Sequence, residues 1–237
     1  MKGIRATRLD GALLLCLIIA AGLRIFLVIH TQGLLDGDEA MVGIQAQHIL
    51  RGERPVYFYG IPYFGSLEAY LVAALFALLG SSLWTMRVEP ILLSLLLVTL
   101  TWRLAGDLAA SAKLSVQTRR LFQVVAALCA AVPPLYDGAI EARTWGDWIE
   151  LYVIILLLFS ATLQLTRRWI SEDAPRWELC MRWAGLGFLV GLGFWVYPLI
   201  APAALAAAVF IAGSCILAWW RDRWRPLAHS SLLALVH

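Results

Sequence analysis

Charge is scarce in this sequence. Asp, Glu, Lys and Arg make up 15% of its 237 residues, against about 25% in soluble domains. Too few ionic side chains remain to cover a water-facing surface, which excludes an ordinary soluble domain. The net charge is only +3 and the basic residues lie scattered between apolar runs, which excludes a nucleic-acid surface. Cysteine is also sparse: Cys16, Cys129, Cys180 and Cys215 have no metal-ligand spacing, and three of them sit inside apolar runs as small packing residues. There is no internal repeat, no low-complexity tract, no phosphate-cradling glycine loop, no Walker motif and no Ser/His/Asp set.

Apolar residues are abundant, at 61%. They form runs at Gly11–Ile29, Leu67–Leu79, Trp84–Trp102, Leu121–Tyr136, Trp148–Leu165, Trp183–Leu199 and Ala201–Trp220, and another begins at Leu227. Repeated runs of this length predict a polytopic all-α membrane bundle, a single transmembrane domain over residues 1–237. Lys2, Arg5 and Arg8 precede the first run, as in a signal peptide. The run is long, however, contains Arg24, and is followed by no small-x-small cleavage site, so an uncleaved first helix is expected. The sequence stops inside an apolar run at His237, which predicts a truncated protein lacking later helices.

Treating every run as a crossing creates a conflict, because the basic stretch Arg103–Arg120 would then lie outside. The run Leu67–Leu79 resolves it. It is short and begins beside Glu68, and apolar stretches of roughly 10–14 residues are commonly interfacial. If it rests on the outer surface, only Arg51, Arg54, Arg87 and Arg143 of the 19 basic residues fall outside and Arg24 falls in the membrane. The N-terminus is then cytoplasmic. Residues 31–82 form an outer loop with surface-lying helices, and the loop Asp137–Asp147 faces the same side.

The outer loop carries an acidic cluster, Leu35-Asp-Gly-Asp-Glu-Ala40. Carboxylates at the mouth of a membrane protein are costly to desolvate and point to a site. They also open a helix: Asp36 can cap it, Glu39 completes a capping box, and Gly52 suits a left-handed stop. Within Asp38–Arg51, Val42, Ala46, Ile49 and Leu50 share an apolar face, while Gln45, Gln47, His48 and Arg51 read as polar. The next segment, Pro55 to Gly65, is an aromatic loop suited to the headgroup level. Its tyrosines, with Tyr70, read as an interfacial belt. His30 falls at a helix end and His48 on a solvated face, with no second histidine at metal spacing. Gly187-x-x-x-Gly191 predicts a close helix contact.

The order of these features resembles the GT-C superfamily of polyprenyl-phosphate-dependent glycosyltransferases, in the branch of protein O-mannosyltransferases and lipid A aminoarabinose transferases. The resembling text runs from Leu35 through Asp38-Glu39 to Gly52. It continues at Pro62-Tyr-Phe-Gly-Ser-Leu-Glu-Ala-Tyr70, Leu79-Gly80 and Met86-Arg-Val88, and a second stretch is Ala142-Arg-Thr-Trp-Gly-Asp147. The resemblance covers the chain as the N-terminal part of a longer protein. It departs at Gly65-Ser66-Leu67, where the aminoarabinose branch carries Glu-Lys-Pro.

The resemblance implies a sugar transfer with inversion from a polyprenyl-phosphate donor to a hydroxyl on a lipid, glycan or protein, outside a bacterial inner membrane. It implies Asp38 as the base that takes the acceptor proton, with Glu39 adjacent. A second acid falls on Asp147, with Asp137, Glu141 and Glu150 as nearby alternatives. Asp147 reads equally as a helix-start residue. Arg143, Arg24 and Arg87 are candidates for the leaving phosphate, which a fixed guanidinium can hold bidentately. A lipid-linked donor fits better than a cytosolic nucleotide sugar, since no phosphate loop is present. No cofactor is assigned and a divalent metal stays open. Partners are the lipid-linked donor, the acceptor and membrane lipids, with no nucleic acid. The rivals are a secondary transporter using Asp38, Glu39 and Arg24, and a non-catalytic protein that binds polyprenyl lipid.

Overall fold

A computed structural model describes residues 10–30, 33–134, 138, 142–144, 146–170 and 175–233, with side chains up to 220 apart from that of residue 170. Asp137 and Glu141 lie outside the described residues. The chain is all-α apart from one hairpin. In order come α1 (Gly11–His30), α2 (Gly37–Leu50), β1 (Tyr57–Phe58), β2 (Ile61–Gly65), α3 (Leu67–Leu79), α4 (Leu83–Ser111) and α5 (Val116–Ala131). Then follow α6 (Trp148–Ile170), α7 (Arg176–Val196) and α8 (Ala201–Leu233). Among the described residues, five helices are long and apolar enough to cross a membrane: α1, α4, α6, α7 and the first part of α8. This is the pattern of a polytopic membrane protein. Exposed Leu14, Leu15, Ile18, Ile25, Phe26 and Ile29 on α1 form the kind of surface that lipid covers.

Two compact units can be described separately: Met1–Leu156 with Gly193–Pro198, and Leu157–Leu192 with Leu199–His237. In the first, α1 and α5 run parallel. Asp10, just before α1, pairs with Arg120 near the start of α5. Toward the other end, Arg24 donates to the carbonyls of Ala130 (3.1 Å) and Ala131, the last residues of α5. Helix α4 runs the opposite way: Gln123 Nε2 donates to the Trp102 carbonyl at 3.2 Å. Small residues make this packing close, with Cys16 and Ala20 of α1 against Val98 of α4 and Ala127 and Ala131 of α5.

The segment between α1 and α4 therefore starts and finishes at one end of this bundle. Arg87, in the second turn of α4, donates to the carbonyl of Leu34, just beyond α1, at 2.6 Å. Helix α3, with 13 residues, is about 20 Å long. It packs on α2 and α4 through Val42, Ala46, Val72, Phe76 and Met86. The hairpin that precedes it turns at Tyr59-Gly60, with Gly60 at φ +80 and Phe58 paired to Ile61. Where an aromatic loop was expected there is a small two-stranded ladder. It lies so close to the end of α7 that a Cβ on Gly65 would stand 2.7 Å from the Trp195 carbonyl. Trp195 Nε1 donates to the Val56 carbonyl at 2.9 Å.

Several sequence expectations shift. Helix α5 starts earlier than its apolar run because Ser115 caps it, accepting from Thr118 N–H. It stops at Ala131 because Val132 precedes Pro133, and a residue before proline avoids the helical region. Helix α8 continues as one helix to Leu233, where a break before a new run at Leu227 was expected. In the second unit, a Cβ on Gly185, Gly187 or Gly191 would meet nothing within 4 Å. The glycine pattern therefore makes no close helix contact among the described residues. There α7 is instead joined to α6 by Glu178, 3.4 Å from Arg168, and by Arg182, which donates to Gln164 at 3.3 Å.

Candidate functional site

Helix α2 begins with the capping box read from the sequence. Asp36 is the N-cap, its side chain accepts from Asp38 N–H at 3.3 Å, and Glu39 accepts from Asp36 N–H at 3.2 Å. Gly52 at φ +101 follows its C-terminus. Asp38 is exposed in the first turn. Glu39 is fully buried and does more than cap: its two oxygens accept from Arg87 Nε (3.1 Å) and Nη2 (3.0 Å). Arg87 is also buried, so this bidentate pair, with its bond to Leu34, fixes α2 on the end of α4. Gln45, expected on a polar face, is buried as well and donates to the Tyr57 carbonyl at 2.9 Å. That bond ties α2 to the hairpin.

The cationic candidates separate accordingly. Arg87 is committed to Glu39. Arg24 is buried with its guanidinium on the last carbonyls of α5, where a cation satisfies orphan acceptors and complements the helix dipole. Both are engaged inside the protein rather than presented to a phosphate. Arg143 is partly exposed in the loop before α6 and makes no ion pair among the described residues. His30 bonds the Phe26 carbonyl at its helix end, and His48 bonds the Tyr59 hydroxyl.

Asp147 joins a different group. Ser66, the N-cap of α3, turns its hydroxyl away to the Pro55 carbonyl at 2.6 Å and does not cap the helix. The orphan amide of Glu68 is instead met by Asp147 Oδ1 at 2.8 Å. In return, Glu68 Oε2 accepts from Gly146 N–H (2.8 Å) and Asp147 N–H (3.1 Å). Gly146 and Asp147 both have positive φ, +84 and +60, a turn that glycine and aspartate tolerate better than most residues. Asp147 is also a helix-start residue, its carbonyl accepting from Leu151 N–H. The loop before α6 thus closes on the start of α3, through Glu68.

Around this exchange lie two more carboxylates, Glu89 on α4 and Glu150 on α6. Glu68, Glu89, Asp147 and Glu150 are all 2–3% exposed. No Lys or Arg pairs with any of them among the described residues. All four oxygens of Glu89 and Glu150 are buried without a hydrogen-bond donor there. One oxygen from each of Glu68, Glu89 and Glu150 lies within 4.8 Å of the others, a spacing at which three carboxylates can hold a cation. Burial pushes the Asp147 carboxyl up to about 7, against the pull of the Glu68 amide. Burial, then the charges of Glu89 and Asp147, push Glu68 well above the ordinary carboxylate range despite its two amide donors. Asp147 is thereby placed to hold or release a proton near neutrality.

Glu68 and Glu89 were not read as site residues from the sequence. Glu89 left a signal: it is an acid within the apolar run Trp84–Trp102, two residues after Arg87, and an ionisable residue in such a run marks a site by default. Beside α2, at the same end of the bundle, a groove of about 320 Å³ is lined mainly by apolar side chains including Leu35, Ile44, Phe76, Leu83 and Met86. Comparison with protein-family models, curated proteins and solved structures returns no match.

Proposed function

We propose that this chain is the membrane-embedded part of an inverting glycosyltransferase that takes its sugar from a polyprenyl-phosphate donor and passes it to a hydroxyl at the non-cytoplasmic face. The observation that carries this reading is the contact of the loop before α6 with the start of α3 through Glu68 and Asp147, in the same unit of the chain in which Asp38 is exposed. The apolar groove beside α2 supports a lipid-borne donor, since it offers isoprenoid carbon a surface next to the acidic turn. Asp38 takes the proton of the acceptor hydroxyl as its oxygen bonds to the anomeric carbon. The bond from that carbon to phosphate breaks, and polyprenyl phosphate leaves with the electron pair. Arg143 is the arginine left to meet the phosphate charge, because Arg24 and Arg87 are held by Ala130, Ala131 and Glu39.

The test is transfer from radiolabelled polyprenyl-phosphate mannose in membranes containing the complete gene product. Asp38→Asn should abolish transfer while leaving the protein inserted at wild-type amounts. Full transfer by that variant removes Asp38 from the chemistry. A second reading, a cation-coupled transporter, is favoured by the donor-free carboxylates Glu89 and Glu150 in two spanning helices. It ranks lower because both lie in the first two turns of their helices, away from the midplane where such sites sit. Solute uptake into vesicles driven by a proton or sodium gradient would favour it.

A further inference from the structure

We propose that Glu68, Glu89 and Glu150 together bind one hard divalent cation, of the Mg²⁺, Mn²⁺ or Ca²⁺ class, that clamps α3, α4 and α6. The inference stands on these side chains and does not depend on the glycosyl-transfer reading. The three residues come from three helices, and each brings an oxygen within 4.8 Å of the other two. Glu89 and Glu150 are 3% and 2% exposed, and none of their oxygens has a donor among the described residues. An acid buried this deeply is costly unless something satisfies it. Among the described residues no Lys or Arg pairs with either acid, and Arg87, two residues from Glu89, is bound to Glu39 instead.

The ligand set selects the ion. It is all carboxylate oxygen, with neither His nor Cys in the group, which favours hard cations over zinc or copper. Glu68 is pre-oriented: its Oε2 is fixed by the amides of Gly146 and Asp147, the kind of outer hydrogen bonding that aims a metal ligand. Three protein oxygens leave about half of an octahedral shell for water or an incoming oxygen ligand. Asp147, on the far side of the same exchange, bonds the Glu68 amide and positions that ligand without being one.

The experiment uses the full chain in detergent, stripped with EDTA and titrated with Mn²⁺ alone. Free Mn²⁺ is followed by electron paramagnetic resonance and stability by tryptophan fluorescence on heating. The expected result is one Mn²⁺ per chain and a melting temperature that rises with Mn²⁺. Glu89→Gln and Glu150→Gln should each weaken binding by at least about tenfold. Glu53→Gln, which alters an exposed acid, should not. Without metal, Glu89→Gln and Glu150→Gln should melt above the wild type, because each replaces one of two buried, closely apposed carboxyls by a neutral amide that can donate to the other.

Stoichiometric binding that survives both variants puts the ion elsewhere and overturns the proposal. Variants that are stabilised while the wild type ignores metal also overturn it, and make the group a proton-sharing cluster. Should the variants fail to give monodisperse protein, the wild type decides alone. Absence of bound Mn²⁺, and of Ca²⁺ in a parallel titration, then refutes the site.

Discussion

Arg87→Met removes the guanidinium that holds Glu39 while keeping a long apolar side chain in its place. Glu39 then loses bonds of 3.1 and 3.0 Å, and the Leu34 carbonyl loses one of 2.6 Å. Only the Asp36 amide at 3.2 Å remains to the carboxylate. Both partners are no more than 1% exposed, so water cannot replace what is lost without opening the α2–α4 contact. Breaking one side of a buried pair costs about 3–5 kcal/mol, whereas replacing both sides by apolar groups is often near neutral. Glu39→Met with Arg87→Met should therefore recover most of the loss. A residual of about 1 kcal/mol is expected from the missing half of the capping box. Equilibrium unfolding in mixed micelles reads this directly, and the 11 tryptophans supply the signal. A coupling energy of at least about 2 kcal/mol is expected from the double-mutant cycle. If Arg87→Met costs less than about 1 kcal/mol, or the two changes simply add, the pair does not anchor α2.

The carboxyl of Asp147, pushed up to about 7, gives a pH dependence of defined sign. The folded state holds this proton more tightly than the unfolded chain, whose aspartate titrates near 3.9. Stability of metal-free protein should thus be fully present below about pH 4 and decline as pH rises to about 7. Glu68, raised as well, adds to the decline in the same direction. Asp147→Asn should flatten that limb of the curve, and an unchanged slope would remove Asp147 as its source. Gly65→Ala would drive a methyl into the Trp195 carbonyl and the Val196 backbone. It should destabilise by about 1–3 kcal/mol and shift tryptophan emission; a wild-type melting curve would show that the hairpin has room to move.

What was legible in the sequence was local or additive. Long apolar runs announce α1, α4 and α6, and Asp36, Glu39 and Gly52 announce the ends of α2 because capping is decided within a few residues. The distribution of Arg and Lys led to the expectation that Leu67–Leu79 does not cross; what the structure adds is that the Arg87–Leu34 bond returns the chain to the end of the bundle it left. Pairing at long range was not legible. Glu39 and Arg87 were both singled out, yet 48 residues separate them, and nothing periodic says that they neutralise each other. Gln45 misled for a related reason: its helical position reads polar until the hairpin covers it. Glu68, Glu89 and Glu150 are single acids in three apolar segments, and only the packing of three helices makes them one cluster.

Cysteine accessibility tests the central claim most directly, because everything at the site requires the α2–α3 segment to return to the end of the bundle it left. In a background with Cys16, Cys129, Cys180 and Cys215 replaced, Asp38→Cys and Arg143→Cys would be probed one at a time in sealed vesicles with an impermeant maleimide. Both positions should label from the same face. Labelling from opposite faces would mean that Leu67–Leu79 crosses the membrane, and the two acidic loops could not form one site.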